Sequence, residues 1–192
     1  MSKSYYHLNV KKDPNIHWGC GDIIRFTGNN NFYKNILDLS VYCLSGNDSV
    51  PIDYVLSLSD AYKKPKELAA QQRVAALSHL HREMVFEKVR SSMFPERPSR
   101  QTCTYLLPEK EDLSLWMNNL NETHSPWSLL RVEPLSDAIV FETREGPLHN
   151  LRPTYNDDQM ISKAAEYWSG ASNGRREILV NGGVRVLEIV SI

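Results

Sequence analysis

The sequence predicts an α+β protein in which one strand and one long helix are followed mostly by further strands. Residues 5–10 form a short aromatic and apolar run, typical of a strand. Apolar residues recur at helical spacing over residues 65–93 with no internal Gly or Pro. Runs rich in β-branched and aromatic residues then dominate the second half. With 192 residues, the chain suits one domain, residues 1–192, with a helical insertion at about residues 60–95.

The first half of the chain begins with a strand at residues 5–10, which ends before the turn-forming pair Asp13-Pro14. A glycine-containing turn at residues 18–22 leads into a second strand at residues 23–26. The long helix follows at residues 65–93, in the amino-terminal half, and Pro95 and Pro98 end it. Its predicted inner face consists of six apolar residues, Leu68, Val74, Leu77, Met84, Val85 and Val89.

Five strands are predicted after the long helix, at residues 102–107, 128–132, 138–142, 177–180 and 184–190. Helices are predicted at residues 109–119 and 157–168, and Trp168 is expected to pack in the core. The last two strands are separated by Asn181-Gly182-Gly183, a pattern typical of hairpin turns that require positive φ. We therefore expect these two strands to be antiparallel neighbours.

Composition indicates a globular protein and argues against a membrane span. The chain is 41% hydrophobic and 23% charged, and no apolar run approaches the ~18 residues of a membrane helix. No secretory signal is recognised, so a cytoplasmic location is expected. Three widely spaced cysteines, Cys20, Cys43 and Cys103, predict neither a disulfide framework nor a zinc knuckle.

Charge is unevenly distributed although the net charge is only −1. Residues 63–100 contain nine Lys and Arg against four Asp and Glu, whereas residues 108–145 contain three against eight. This pattern favours a local basic face rather than a nucleic-acid track along the whole protein.

Several common catalytic and binding motifs are absent from the sequence. No phosphate-binding loop, dinucleotide fingerprint or Gly-x-Ser-x-Gly motif occurs. His79 and His81 lie about 200° apart on a helix of about 3.6 residues per turn, so they do not present a zinc pair. His81 is expected to be partly buried beside the apolar stripe, and no metal site is predicted.

Glu177 is the strongest candidate for an active-site acid. It opens the apolar run Ile178-Leu179-Val180, where a charged residue needs a particular reason to be present. His7 lies in the strand at the opposite end of the chain. The two side chains would come together if their strands entered one sheet.

The segments around these two residues resemble ADP-ribosyltransferases. Tyr6-His7-Leu8-Asn9 and Arg176-Glu177-Ile178-Leu179-Val180 are similar to the strand pair that holds NAD in that superfamily, particularly in its DarT-type, nucleic-acid-modifying branch. A wider resemblance, to an uncharacterised bacterial and phage family of the same superfamily, involves residues 82–90, Phe94-Pro95, Pro98-Ser99-Arg100, Tyr105 and Tyr167-Trp168-Ser169-Gly170.

The resemblance implies an ADP-ribosyltransferase-like split core of two antiparallel sheets, with NAD as substrate in the cleft between them. Glu177 would bind a ribose hydroxyl and stabilise the positive charge that develops when the bond to nicotinamide breaks. His7 would orient the dinucleotide, and Tyr105 would offer an aromatic face to nicotinamide. Ser99 and Arg100 are candidates for a ligand phosphate. Arg25 is a candidate for the adenosine half.

The implied function is transfer of ADP-ribose from NAD to DNA, RNA or protein, with release of nicotinamide, by a toxin or a defence or phage effector. A neutralising antitoxin or inhibitor protein is an expected partner. Alternatives are a non-catalytic nucleotide- or protein-binding module of the same fold, and an NAD glycohydrolase. The NAD-dependent RNA 2′-phosphotransferase branch is a further reading, although its arginine pattern has no match here.

Overall fold

A computed structural model describes residues 3–10, 18–25, 27–38, 40–42, 49–114, 127–149 and 155–190. The chain divides into two compact units. The first combines Met1–Asn30 with Val85–Ile192, and the second is the inserted segment Asn31–Met84.

The described residues form nine strands and five α-helices. The strands are β1 Tyr5–Val10, β2 Ile23–Arg25, β3 Ser40–Tyr42, β4 Ser49–Pro51, β5 Thr104–Leu106, β6 Trp127–Pro134, β7 Ile139–Arg144, β8 Arg176–Asn181 and β9 Gly183–Val190. The helices are α1 Asn31–Leu37, α2 Ile52–Ser57, α3 Lys63–Met93, α4 Gly146–His149 and α5 Asp157–Ser169, and 3₁₀ turns occupy Asp60–Tyr62 and Lys110–Asp112.

The first unit contains two antiparallel sheets, which confirms the predicted α+β class. One sheet has the strand order β1-β6-β9-β2, and the other has the order β5-β8-β7. They adjoin where Tyr6 and Leu107 form an isolated antiparallel bridge, with N···O distances of 2.9 and 2.7 Å. β1 and β5 are therefore neighbours at one bridge and belong to separate sheets.

The predicted hairpin between the last two strands is wrong. β8 pairs with β5 and β7, whereas β9 pairs with β6 and β2, so the chain changes sheets between them. Gly182 permits this change because it adopts φ +112°, a backbone conformation that residues with a side chain rarely adopt. At Gly183 a Cβ atom would lie 2.8 Å from Leu135 Cδ1 and 3.2 Å from the Ile24 carbonyl oxygen, so a side chain there would require its neighbours to shift.

β8 is buried on both faces, which explains its continuous apolar run. Ile178 and Val180 belong to a core cluster with Tyr5, Leu106 and residues of β6 and β9. Leu179 belongs to a different cluster, formed with Phe86, Val89, Cys103, Phe141, Ala164, Tyr167 and Trp168. Consecutive strand residues point to opposite faces, so Glu177 shares the face of Leu179.

The long helix was predicted correctly, and its inner face only in part. α3 is continuous over Lys63–Met93, and Val89 is buried as expected. Val74, Leu77 and Met84 are instead 67%, 47% and 57% exposed, and His81 is exposed too. At about 1.5 Å per residue, this helix is about 46 Å long, more than a small core can cover along its full length.

The second unit contains elements that the sequence did not reveal. α1, the two-stranded β3–β4 ladder and α2 precede the amino-terminal part of α3, and Val41, Val55 and Ala69 form a small buried cluster. Strands of three residues are too short to show a period of two. Among the helices described here, none has the length and apolar content needed to cross a lipid bilayer.

Candidate functional site

Glu177 lies near the start of β8 and is almost completely buried. Its neighbour across the sheet is Thr143 of β7. Its face of β8 is covered by the cluster that contains Tyr167 and Trp168 of α5. Burying an ionised carboxylate is unfavourable unless charged or hydrogen-bonding groups surround it, and the structure supplies both kinds.

Arg100 and Tyr167 both bind the same oxygen of Glu177. Arg100 Nη1 lies 2.8 Å from Glu177 Oε2, and the two side chains are only 5% and 8% exposed. The Tyr167 hydroxyl donates a short hydrogen bond to the same Oε2. Arg100 Nη1 also donates to the Tyr167 hydroxyl over 2.6 Å. These three residues, called the Glu177 triad below, form a closed polar cluster in the core.

Tyr167 remains a neutral phenol. Burial raises its pKa well above 10.0, the nearby Arg100 guanidinium lowers it, and the charge of Glu177 raises it further. Its main-chain position is also fixed, because Thr143 Oγ1 donates to the Tyr167 carbonyl oxygen over 2.7 Å. The neighbouring Trp168 is fully buried, as predicted, and its Nε1 donates to the Phe86 carbonyl.

Arg100 is held by its main chain as well as by its guanidinium. Its carbonyl oxygen accepts hydrogen bonds from Asn30 Nδ2 at 2.7 Å and from the Tyr105 hydroxyl at 2.9 Å. Its guanidinium carbon lies 5.3 Å from the Tyr105 ring centre and 5.0 Å from that of Tyr167. Both distances are within the range of cation–π attraction. Tyr105 therefore adjoins the triad through its contacts with Arg100.

Ser99 belongs to a second polar cluster. Its hydroxyl donates to Glu87 Oε2 over 2.8 Å, and Arg90 makes a bidentate pair with the same carboxylate. Arg90 also donates to the carbonyls of Pro95 and Arg97. These hydrogen bonds stabilise the conformation of the loop between α3 and β5. Ser99 could bind a ligand phosphate only by exchanging its bond to Glu87, and Arg100 Nη1 is already bonded to Glu177 and Tyr167.

His7 lies on the other side of β8 from Glu177, and the expectation that their strands share a sheet is wrong. His7 shares the face of Tyr5, which packs against Ile178 and not against the Leu179 side. A hydrogen bond joins the imidazole to the main chain of Tyr105. Burial lowers the pKa of His7 to about 4, an effect that this hydrogen bond partly opposes. The imidazole is therefore neutral at pH 7.

Arg25 lies outside this region. It is in β2, at the edge of the other sheet, where Nη1 pairs with Asp137 Oδ2 at 3.2 Å and both side chains are exposed. The nearby turn continues the edge of the sheet, since the Gly21 amide donates to the Val186 carbonyl. Within the ranges described above, no three His, Cys, Asp or Glu side chains are arranged to hold a metal ion.

Tyr167 and Asn30 were not predicted from the sequence as site residues. A signal for Tyr167 existed, because it lies beside Trp168 on the inner face of the predicted helix. A buried tyrosine hydroxyl usually has a polar partner, and Glu177 was the charged residue still to be explained. Asn30 gave no signal, since its two acceptors, the carbonyls of Arg100 and Cys103, are about 70 residues away in the chain.

A family model described as "Protein of unknown function (DUF2441)" matches residues 5–192. The chain belongs to this family. No curated protein matches the sequence. The match spans both units, so the inserted segment and the Glu177 triad are parts of one DUF2441 chain.

The chemistry available at the triad is that of a fixed, buried negative charge. Arg100 balances the charge of Glu177, and Tyr167 supplies a hydrogen bond that remains intact at high pH. Both bonds end on Oε2; among the described residues, no group donates a hydrogen bond to Oε1. The Glu177 side chain retains a small exposed fraction. Oε1 can therefore accept a hydrogen bond from a ligand.

Proposed function

We propose that this protein is an NAD-dependent ADP-ribosyltransferase that moves ADP-ribose from NAD to a macromolecular acceptor and releases nicotinamide. The observation that carries this proposal is the buried Glu177 carboxylate, bound at Oε2 by Arg100 and Tyr167 with Oε1 left to a ligand. Maintaining a carboxylate inside an apolar core costs free energy. A site that must stabilise developing positive charge on a sugar explains why the acid is retained.

The architecture supports an ADP-ribosyltransferase-like core. Among the described residues, the two antiparallel sheets adjoin at the bridge between Tyr6 and Leu107, beside the strands that carry His7 and Tyr105. Away from this bridge β1 and β5 belong to separate sheets, which leaves a break where a ligand can approach the main chain. In this proposal, NAD binds at that break.

Each residue then has a defined part in the reaction. Oε1 of Glu177 accepts a hydrogen bond from a ribose hydroxyl, and the fixed charge favours positive charge on the sugar as the bond from C1′ to the nicotinamide nitrogen breaks. The bonding electrons leave with nicotinamide. The acceptor atom forms the new bond to C1′ and loses its proton. Tyr105, whose ring adjoins Arg100, offers an aromatic face to nicotinamide.

Arg100 acts on Glu177 in this scheme, because its Nη1 is bonded to Glu177 and Tyr167. The acceptor is DNA, RNA or protein. Basic residues along α3 favour a polyanionic acceptor, since Lys and Arg contacts to phosphates supply most of the sequence-independent affinity. The proposed setting is the cytoplasm, where the protein acts as a toxin or defence effector.

The test uses NAD labelled on its adenylate group and incubated with the full-length protein and cell lysate. Label transferred to nucleic acid or protein supports the proposal. Release of free ADP-ribose would indicate a glycohydrolase. Binding without turnover would indicate a nucleotide-binding module.

The decisive variant is Glu177→Gln, which keeps the shape of the side chain and removes its charge. We expect it to lower transfer by about 100-fold or more, the magnitude typical of losing one preorganised stabilising group. Glu188→Gln is the matched control, because Glu188 lies in β9 and is 53% exposed. Equal activity of wild type and Glu177→Gln would refute the proposed role of Glu177.

A further inference from the structure

Tyr167 forms the central contact of the triad although nothing in the reaction requires a phenol to touch NAD. Its oxygen accepts from Arg100 and donates to Glu177 Oε2. The ring itself is fully buried and packs against Phe86 and Trp168, with ring centres 5.5 and 4.9 Å away. A phenylalanine would satisfy this packing without the cost of burying a hydroxyl group. The hydroxyl group is therefore explained by its hydrogen bond to Glu177.

The position of the Tyr167 hydroxyl is set by the elements on both sides of it. Gly170 ends α5 in the left-handed conformation, at φ +78°. Thr143 Oγ1 binds the carbonyl of Tyr167, and Thr143 lies directly opposite Glu177 across the β7–β8 ladder. The strand pair that carries the carboxylate thus also anchors the end of the helix that carries its hydrogen-bond donor.

Two donors on one oxygen restrict the carboxylate more than one donor would. Arg100 alone could follow a rotation about the last torsion of Glu177, because a guanidinium offers several N–H groups. The phenol offers one hydrogen in one direction, so adding it fixes the plane of the carboxylate. With Oε2 held in this way, Oε1 has one orientation.

We propose that Tyr167 is a positioning residue that, together with Arg100, holds Oε2 of Glu177 so that Oε1 faces the sugar hydroxyl of NAD. This inference rests on the proposed function. The titratable groups that act on the Tyr167 hydroxyl are Arg100 from the loop after α3, Glu177 from β8 and Tyr105 from β5. Arg176, the preceding residue of β8, pairs with Glu142 instead.

The first test removes only the hydroxyl, by Tyr167→Phe, with the exposed Tyr62→Phe as the control. The ¹³C resonance of the Glu177 carboxyl carbon is compared between the proteins and assigned by its loss in Glu177→Gln. Loss of the phenol's hydrogen bond to Oε2 should shift this resonance in Tyr167→Phe and leave it unshifted in Tyr62→Phe. An unshifted Glu177 resonance in Tyr167→Phe would overturn the proposal.

The second test measures NAD turnover. Tyr167→Phe should lower kcat by about 10-fold or more and change KM for NAD by less than about 2-fold, because the hydroxyl does not touch NAD. If the Glu177 carboxyl resonance shifts in Tyr167→Phe but wild type does not turn over NAD, the proposed function fails and the contact between Tyr167 and Glu177 stands. If kcat is unchanged in an active enzyme, Tyr167 does not position the carboxylate for reaction.

A third measurement leaves Tyr167 unchanged, so it can be made even if Tyr167→Phe does not fold. The ¹³C resonance of the Tyr167 ring carbon that bears the hydroxyl reports the hydrogen bond directly. It should shift between wild type and Glu177→Gln and remain unshifted in Glu188→Gln. The same Tyr167 resonance position in all three proteins would overturn the proposal.

Discussion

Breaking the buried ion pair between Arg100 and Glu177 should destabilise the protein far more than breaking a surface pair of similar length. Arg100→Met removes the guanidinium and leaves the carboxylate buried with Tyr167 as its remaining donor. Two unit charges about 4 Å apart interact by about 4 kcal/mol at an effective dielectric constant of about 20. Loss of one partner from a buried pair typically costs about 3–5 kcal/mol. We expect a loss of that size in the free energy of unfolding.

The assay is a double-mutant cycle measured by urea unfolding, with Arg100→Met, Glu177→Gln and the double variant. The coupling energy should exceed about 1 kcal/mol, because removing both charges leaves no unpaired buried ion. The matched cycle uses Arg131 and Glu188, whose atoms are 2.9 Å apart but whose side chains are 37% and 53% exposed. Their coupling should stay below about 1 kcal/mol. Equal coupling energies in the two cycles would refute the conclusion that burial makes the Arg100–Glu177 pair stronger than the exposed pair.

Two further predictions concern stability. Burial lowers the pKa of His7 from 6.5 to about 4. The contribution of the neutral imidazole to the free energy of unfolding is therefore complete above pH 6.5. It is lost as the pH falls towards 4, by at most about 3 kcal/mol. The difference in unfolding free energy between wild type and His7→Asn should shrink by that amount over this range. At the crossing between sheets, Gly182→Ala should destabilise more than Gly28→Ala. Both glycines have positive φ, but only at Gly182 would the new Cβ atom meet a neighbour, Ala138 Cα at 3.2 Å. Equal thermal midpoints of the two alanine variants would contradict this account of the crossing.

Part of the candidate site was predictable because unusual residues in simple patterns are visible locally. Glu177 was recognised as a charge opening an apolar strand, and Arg100 and Tyr105 were selected with it; the structure brings all three together. Their contacts differ from those expected, since Arg100 binds the carboxylate itself. His7 was selected by the same resemblance and lies across the sheet from Glu177.

The sequence by itself determined where the longer strands of the first unit and the long helix lie. β1 and α5 begin and end within a residue of the predicted limits, and α3 begins only two residues early. Such elements depend on side-chain periodicity, proline and capping residues, which act over a few residues along the chain.

Tertiary structure alone decided which strands pair and which side chains meet. The Asn181-Gly182-Gly183 segment has hairpin composition, yet it connects two sheets, because β5 and β7 occupy both edges of β8. Arg100, Tyr167 and Glu177 converge on one oxygen from a loop, a helix and a strand. Pairing is settled by competition among all the strands for burial and hydrogen bonds, so these contacts follow from the packed arrangement and not from local sequence.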